Sequence, residues 1–371
     1  MDISYKGGYV PELDGLRGFA ILAVMMSHTH IHAVRGGFIG VDVFFVLSGY
    51  LITSLLVKEF DARGYISFKN FYLRRVLRLA PALILMLLCY SVFVSVEFGG
   101  GENGRHYKSV LYALFYSSNW VRAFNLHNMG LLSHTWSLSI EEQFYILWPV
   151  TLVFMLRCIK SRKKVMFVIL AMMMLSWLLR VLMAWNGAPA NRLYNGLDTR
   201  ADAILAGCVV GIAHASGILR LDDRLIGFRG VITAGAALFF IVVITNVGWS
   251  NMAVFYWIEG VAEICAVLLL LNVFASPESR FNRLLRSRPA VWLGTLSYGV
   301  YLWHDPVYKY MIDSGFSGFT VAAAGTVISL SLASASYYIL EKPVLKLKKR
   351  LQNSSGSETA AKPAAMNILP E

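Results

Sequence analysis

Long apolar runs are the feature that most constrains this chain. A run of about 17 to 25 apolar residues can cross a bilayer as a helix, and only helices and closed barrels satisfy the backbone there. Charged residues make up 15% of the sequence, whereas a soluble domain carries about 25%. The sequence therefore predicts an all-α, polytopic membrane bundle of about ten transmembrane helices. The predicted spans are residues 12–34, 38–57, 79–98, 138–156, 165–185, 199–216, 228–247, 252–274, 290–312 and 319–340.

Basic residues gather in alternate loops between these spans. They are Lys58, Arg63, Lys69, Arg74, Arg75 and Arg78; Arg157, Lys160, Arg162, Lys163 and Lys164; Arg220, Arg224 and Arg229; Arg280, Arg283, Arg286 and Arg288; and Lys342, Lys346, Lys348, Lys349 and Arg350. With ten spans all of these loops face one side, which the positive-inside rule assigns to the cytoplasm. Both termini are then expected inside. The net charge of +12 is explained by topology and by membrane lipids, so we expect no nucleic-acid partner.

The chain divides into a membrane domain, residues 1–345, and a tail, residues 346–371. The tail is rich in Ser, Ala and Pro, which predicts disorder on the cytoplasmic side. No soluble domain is expected beyond it. The first span carries charged residues and no cleavage motif, so we expect a permanent helix instead of a signal peptide. Residues 110–124 are apolar but short, which suggests an interfacial or re-entrant helix.

Two ionisable residues in the first span are the leading site candidates. Arg17 and His28 lie on nearly the same helical face, about 16 Å apart along the axis. Ionisable groups in a membrane are costly and mark function, and histidine can accept a proton near neutral pH. The alternative is that Arg17 snorkels to the interface while His28 caps the helix. His28 and His32 also have metal-ligand spacing, but no further ligand follows at fixed spacing, so we expect no metal.

Arg75 and Arg78 form a second candidate site where the third span begins. Their spacing of three places both guanidinium groups on one helical face, as in a phosphate clamp. Topology provides an alternative explanation, in which lipid phosphates are the partners.

Polar and aromatic residues in the other spans supply further candidates. Asp42 lies near one end of the second span, and Glu142 lies near the start of the fourth. Trp136 and Tyr145 suit stacking on a sugar, although both also suit the aromatic belt at a membrane interface. Further candidates are Asp198 and Arg200, which could equally form a local ion network, and Tyr301 and His304, which lie deep in the ninth span.

Taken in order, these motifs resemble the membrane acyltransferase-3 family. They are the Arg-x10-His pair, the SGY run at 48–50, the Arg-x-x-Arg pair, WSLSIEEQFY at 136–145 and YGVYLWH at 298–304. Many family members carry phenylalanine where this chain has Tyr50. The resemblance covers residues 9–345. It implies transfer of an acyl group, commonly acetyl, from cytoplasmic acyl-CoA to a carbohydrate hydroxyl, on an envelope polysaccharide, O-antigen or exopolysaccharide unit. It also implies the inner membrane of a bacterial cell.

The resemblance also implies roles for the candidate residues. Arg17, Arg75 and Arg78 are expected to hold the phosphates of acetyl-CoA or another acyl-CoA. His28 is expected to act as general base or acyl carrier, with Asp42 or Glu142 to orient it. The residues expected to bind the acceptor are Trp136, Tyr145, Asp198, Arg200, Tyr301 and His304. The alternative function is a transporter or flippase of a glycan or small metabolite, although the sequence shows no internal repeat of the kind common in transporters.

Overall fold

The computed structural model describes residues 9–97, 103–219 and 223–346. Within these ranges all regular structure is helical, with no strand, so the all-α prediction is confirmed for them. The predicted tail lies outside the described residues, apart from residue 346. The helices are α1 (Pro11–Ser27), α2 (Gly40–Arg63), α3 (Phe68–Glu97), α4 (Asn103–Leu114), α5 (Ser118–Ala123), α6 (Trp136–Cys158), α7 (Arg162–Trp185), α8 (Ala190–Asn195), α9 (Leu197–Ala215), α10 (Asp223–Asn246), α11 (Glu259–Ala275), α12 (Arg280–Leu285), α13 (Arg288–Asp313) and α14 (Gly318–Lys346).

Short stretches of tighter or wider helix adjoin several of these elements. Segments His32–Ile39 and Gly130–Thr135 are 3₁₀ helices that lead into α2 and α6. A π-helical segment, Val254–Ile258, precedes α11. Helix α14 contains two more π-helical segments, Val321–Gly325 and Tyr337–Glu341. The expected interfacial helix at 110–124 is divided between α4 and α5.

Six of the described helical segments are long and apolar enough to cross a membrane. They are His32–Arg63, Phe68–Glu97, Arg162–Trp185, Phe228–Asn246, Val254–Ala275 and Gly318–Lys346. The chain is therefore a multi-pass membrane protein. The other predicted spans, 12–34, 138–156, 199–216 and 290–312, overlap α1, α6, α9 and α13. The count of ten and the cytoplasmic location of the termini stay predictions.

The first helix is shorter than its apolar run. Helix α1 ends at Ser27, and His30 then takes a left-handed backbone conformation with φ of 59°. The 3₁₀ helix begins at His32, whose Nε2 lies 3.1 Å from a guanidinium nitrogen of Arg35. Because the helix stops between them, His28 and His32 do not share a helical face. The spacing that suggested a metal pair is therefore misleading.

Close helix contacts bring the polar residues together. A Cβ added to Gly49 on α2 would lie 1.9 Å from the carbonyl oxygen of Ile204 on α9. A Cβ on Gly294 of α13 would lie 1.7 Å from the carbonyl oxygen of Asp14 on α1. Any larger side chain would clash with backbone at both positions. Glycine thus permits α2 to pack on α9, and α1 on α13, at backbone contact.

Candidate functional site

A cavity of about 380 Å³ gathers the three arginines predicted to bind the acyl donor. Arg17 comes from α1, and Arg75 and Arg78 come from α3. Helices α2, α6, α13 and α14 supply the rest of the lining. We call this space the arginine cavity. Two helices that are distant in sequence position its three arginines, so the cavity depends on the tertiary fold.

Aromatic and acidic side chains fix the arginines of the cavity. The Arg75 guanidinium carbon lies 3.1 Å from the centre of the Tyr145 ring. Arg17 lies 3.8 Å from Asp14, and Ser48 donates a 2.8 Å hydrogen bond to Glu141. Since carboxylates also line the space, the arginine cavity suits a ligand that combines anionic groups with hydrogen-bond donors.

A second cluster, the histidine cluster, lies further along α1 and α13. It consists of His28, His134, His304 and Asp305. The Asp305 carboxylate lies between two of the histidines, with Oδ1 3.8 Å from His28 Nε2 and Oδ2 3.2 Å from His134 Nδ1. The ring of His304 lies 5.0 Å from that of His28 and 5.8 Å from that of His134. One buried carboxylate therefore lies within ion-pair distance of two imidazoles, those of His28 and His134.

The hydrogen bonding of His28 leaves one ring nitrogen available. Nδ1 lies 2.8 Å from the carbonyl oxygen of Val24. A carbonyl can only accept, so Nδ1 carries the proton and Nε2 of the neutral ring keeps its lone pair. That lone pair is on the Asp305 side, and the His28 side chain is 32% exposed. His28 can thus accept a proton from an approaching group while Asp305 stabilises the imidazolium that forms.

Polar groups behind Asp305 hold the cluster in place. Lys309 donates a 2.7 Å hydrogen bond to Asp305 Oδ2 and also bonds the Ser133 hydroxyl. Arg122 of α5 donates to the carbonyl oxygen of Ser133. The short helix α5 thus fixes the segment that carries His134.

Tyr301 separates the two sites. Its side chain lines the arginine cavity, and its hydroxyl lies 2.5 Å from Ser137 and donates 2.8 Å to the carbonyl oxygen of His134. Its ring centre lies 5.4 Å from that of His304. Tyr301 is therefore in contact with both the cavity and the cluster.

The histidine cluster is poorly suited to a metal ion. His28, His304 and Asp305 offer ligand atoms within 4.8 Å of one another. Tetrahedral zinc would require about 3.4 Å between ligand atoms, given its bond lengths. The Lys309 ammonium group on Asp305 already supplies a positive charge there. The expectation of no metal stays a prediction.

The carboxylates expected to orient His28 lie elsewhere. Asp42 forms a 2.8 Å ion pair with Arg200, both fully buried. Glu142 faces the charges of Arg75 and Glu141. Asp305 is the carboxylate in contact with His28, so the structure corrects the expected partner. The sequence signal for Asp305 was its position directly after His304, deep in a span.

Arg200 and Asp42 belong to a separate buried ion network, in which the ion-pair partners of Arg200 come from other helices. Asp198, the other member of the expected local network, pairs with Arg192 instead. Arg200 also pairs with Glu259, while Arg180 pairs with Asp202 at 2.6 Å and with Glu259 at 3.2 Å. Glu263 lies 3.9 Å from Arg180. Helices α2, α7, α9 and α11 supply these residues, which we call the buried ion network. Arg200 is too enclosed to meet an acceptor.

The remaining expected acceptor residues are dispersed. Trp136 is buried against Tyr194, with ring centres 4.6 Å apart, so its faces are not free to stack on a sugar. Tyr145 lies in the arginine cavity under Arg75. Asp198 forms a two-point ion pair with Arg192. Of this set, the structure brings only Tyr301 and His304 to the histidine cluster.

Most of the chain matches one protein-family model. Residues 10–338 match the model described as "Acyltransferase domain". The chain is 35% identical over 353 residues to the putative peptidoglycan O-acetyltransferase YrhL of Bacillus subtilis, covering 91% of this chain and 55% of that protein. It is 31% identical over 363 residues to the peptidoglycan O-acetyltransferase OatA of Listeria monocytogenes, covering 92% and 57%.

A third relative is the O-acetyltransferase OatA of Staphylococcus aureus, 32% identical over 359 residues, covering 92% of this chain and 58% of that protein. The chain thus spans little more than half the length of these relatives. No solved structure matches the chain.

Proposed function

Because the chain belongs to the acyltransferase family whose model it matches, we propose that it is a membrane O-acetyltransferase. It moves an acetyl group from acetyl-CoA, or another acyl from its CoA ester, to a carbohydrate hydroxyl. The observation that carries this proposal is the arrangement of two sites along α1. The arginine cavity contains Arg17, and His28 follows about 16 Å further along the axis.

The arginine cavity binds the donor in this proposal. Coenzyme A carries phosphates, and guanidinium groups are the side chains best matched to phosphate oxygens. Arg17, Arg75 and Arg78 would neutralise that charge, with Arg75 held against Tyr145. In this proposal the end with the basic loops faces the cytoplasm, as the positive-inside rule predicts, and the acyl-CoA donor enters from there.

The histidine cluster performs the transfer. His28 Nε2 takes the proton of the acceptor hydroxyl as its oxygen attacks the thioester carbonyl carbon. The carbon–sulfur bond then breaks, coenzyme A leaves as a thiolate, and His28 passes its proton to that sulfur or to solvent. Asp305 stabilises the intermediate imidazolium. General-base help of this kind contributes about 10² to 10⁴ in rate. A covalent acyl-histidine, which the acceptor then attacks, is the variant mechanism.

The acceptor we favour is a bacterial cell-wall glycan. Two of the relatives are named for peptidoglycan, and none of those compared is named for O-antigen or exopolysaccharide, the other acceptors considered. His28 is partly exposed, so a large polymer could present a hydroxyl there. In this proposal the enzyme lies in the bacterial inner membrane and modifies an envelope carbohydrate.

The donor assignment is tested with two thioester donors, one of which lacks the pyrophosphate and the 3′-phosphoadenosine of coenzyme A. Membranes bearing the protein are supplied with acetyl-CoA or with acetyl-pantetheine, and with soluble peptidoglycan fragments. Mass spectrometry then detects acetylated product, which a transporter would not form. For Arg78→Ala we expect the KM for acetyl-CoA to rise about tenfold or more, since charged hydrogen bonds contribute about 1.5 to 3 kcal/mol. The KM for acetyl-pantetheine should not change.

Arg283→Ala is the matched control, because Arg283 is an exposed arginine outside the cavity. It should leave the KM for both donors at the wild-type value. An equal loss with both donors in Arg78→Ala would contradict phosphate binding at Arg78.

A further inference from the structure

Lys309 lies at the histidine cluster without a part in the chemistry described above. Its ammonium group bonds Asp305 Oδ2, the Ser133 hydroxyl and, at 3.3 Å, the carbonyl oxygen of Gly130. All three N–H donors of a lysine are therefore used. Since none is left for a substrate, Lys309 is no candidate for direct contact with the reacting groups.

The two oxygens of Asp305 have different surroundings. Oδ2 receives Lys309 and faces His134. Oδ1 faces His28 and has no hydrogen-bond partner within the described ranges. The carboxylate is fully buried, and a buried carboxylate requires a compensating charge. Lys309 supplies that charge on one oxygen and leaves the other directed at His28.

We propose that Lys309 is a positioning residue, which acts through Asp305 to keep His28 competent as a base. This inference rests on the proposed function. Without the ammonium group, Asp305 would retain a proton or bind a permanently protonated His28, because those are the ways left to compensate its charge. In the first state Asp305 no longer stabilises the imidazolium by charge, and in the second state His28 has no lone pair left for the proton of the acceptor.

The other charges around Asp305 do not replace Lys309. Arg122 of α5 influences Asp305 from a distance, but its guanidinium group donates a hydrogen bond to the carbonyl oxygen of Ser133. A histidine carries a charge only when it is protonated, so neither His134 nor His304 supplies a fixed charge to Asp305. Lys309 is the group that both bonds Asp305 and carries a fixed charge. It is 29% exposed, so a neutral side chain of similar length fits there without a new cavity.

The test is a double-mutant cycle between Lys309 and Asp305, with acetyl-CoA and soluble peptidoglycan fragments as substrates. For Lys309→Met we expect kcat about tenfold lower or more, a part of the roughly 10² to 10⁴ that a general base supplies. The KM for acetyl-CoA should not change. Lys309→Arg keeps the charge and should restore most of kcat. In an Asp305→Asn background, Lys309→Met should change kcat by less than about twofold, since coupled residues are non-additive.

Several outcomes would overturn the inference. They are an additive loss in the Asp305→Asn background, a Lys309→Arg variant as slow as Lys309→Met, or a Lys309→Met variant that fails to fold in both backgrounds. Lys108→Met, at an exposed lysine of α4, controls for loss of a lysine. His28→Ala separates the two levels of the proposal: if it is fully active, the proposed function fails. If it is inactive and the cycle is additive, only the role of Lys309 fails.

Discussion

The buried ion network and the histidine cluster are both groups of ionisable residues inside a membrane protein, but they are built differently. In the network, Arg180 and Arg200 meet four carboxylates and every member is buried. In the cluster, one carboxylate meets histidines and Lys309, and both His28 and Lys309 reach the surface. Enclosed pairs of arginine and carboxylate join helices, whereas histidines with an open side can exchange protons with a ligand.

The largest effect on stability is expected when the network is broken. Arg200→Ala would leave Asp42 buried without its guanidinium partner and would remove one of the two guanidinium groups that contact Glu259. Breaking a buried pair costs about 3 to 5 kcal/mol. Thermal unfolding of the detergent-purified protein should show a much lower midpoint or no folded protein. Unfolding at the wild-type temperature would show that the network does not hold α2, α9 and α11 together.

Asp305→Asn tests whether the charge of Asp305 in the histidine cluster contributes to catalysis. Asparagine has nearly the same shape but cannot stabilise an imidazolium by charge. We expect kcat to fall about 10- to 100-fold, a part of the general-base contribution, with the KM for acetyl-CoA unchanged. The same replacement in the network, Asp42→Asn, is the counterpart and should mainly lower the unfolding temperature. If the two variants behaved alike, the distinction between the two clusters would be lost.

The smallest effect is expected at the ion pair between Arg192 and Asp198. Asp198 is 37% exposed, and exposed pairs contribute about 0 to 1 kcal/mol. Asp198→Ala should therefore change neither the unfolding midpoint nor turnover by a measurable amount. A selective rise in the KM for the glycan acceptor would instead restore Asp198 as an acceptor-binding residue.

Residue type and spacing predicted some of this site, and the tertiary fold determined the rest. Long apolar runs were sufficient to predict helices, and the Arg-x-x-Arg pair was sufficient to predict a basic face. The partner of His28 was not predictable, because Asp42 and Asp305 are both acids within predicted spans. Only the packing of α2 on α9 pairs Asp42 with Arg200, and only the packing of α1 on α13 brings Asp305 to His28.

The sequence pattern also did not predict where α1 ends or which aromatic rings are in contact. Residues 19–34 contain no proline or glycine that would mark the end of α1 at Ser27. Trp136 has an aromatic ring of the kind that stacks on sugars, yet Tyr194 of α8 covers that ring. Such contacts depend on which helices become neighbours, and apolar periodicity carries no information about that.

The central claim is that His28 is the base in acyl transfer, and one paired substitution tests it most directly. His28→Ala and His32→Ala remove two nearby histidines, of which only His28 contacts Asp305. Acetyl transfer from acetyl-CoA to peptidoglycan fragments is measured at equal amounts of folded protein. We expect His28→Ala to lose about 10² to 10⁴ in kcat and His32→Ala to remain near wild type. Wild-type turnover by His28→Ala would contradict the account.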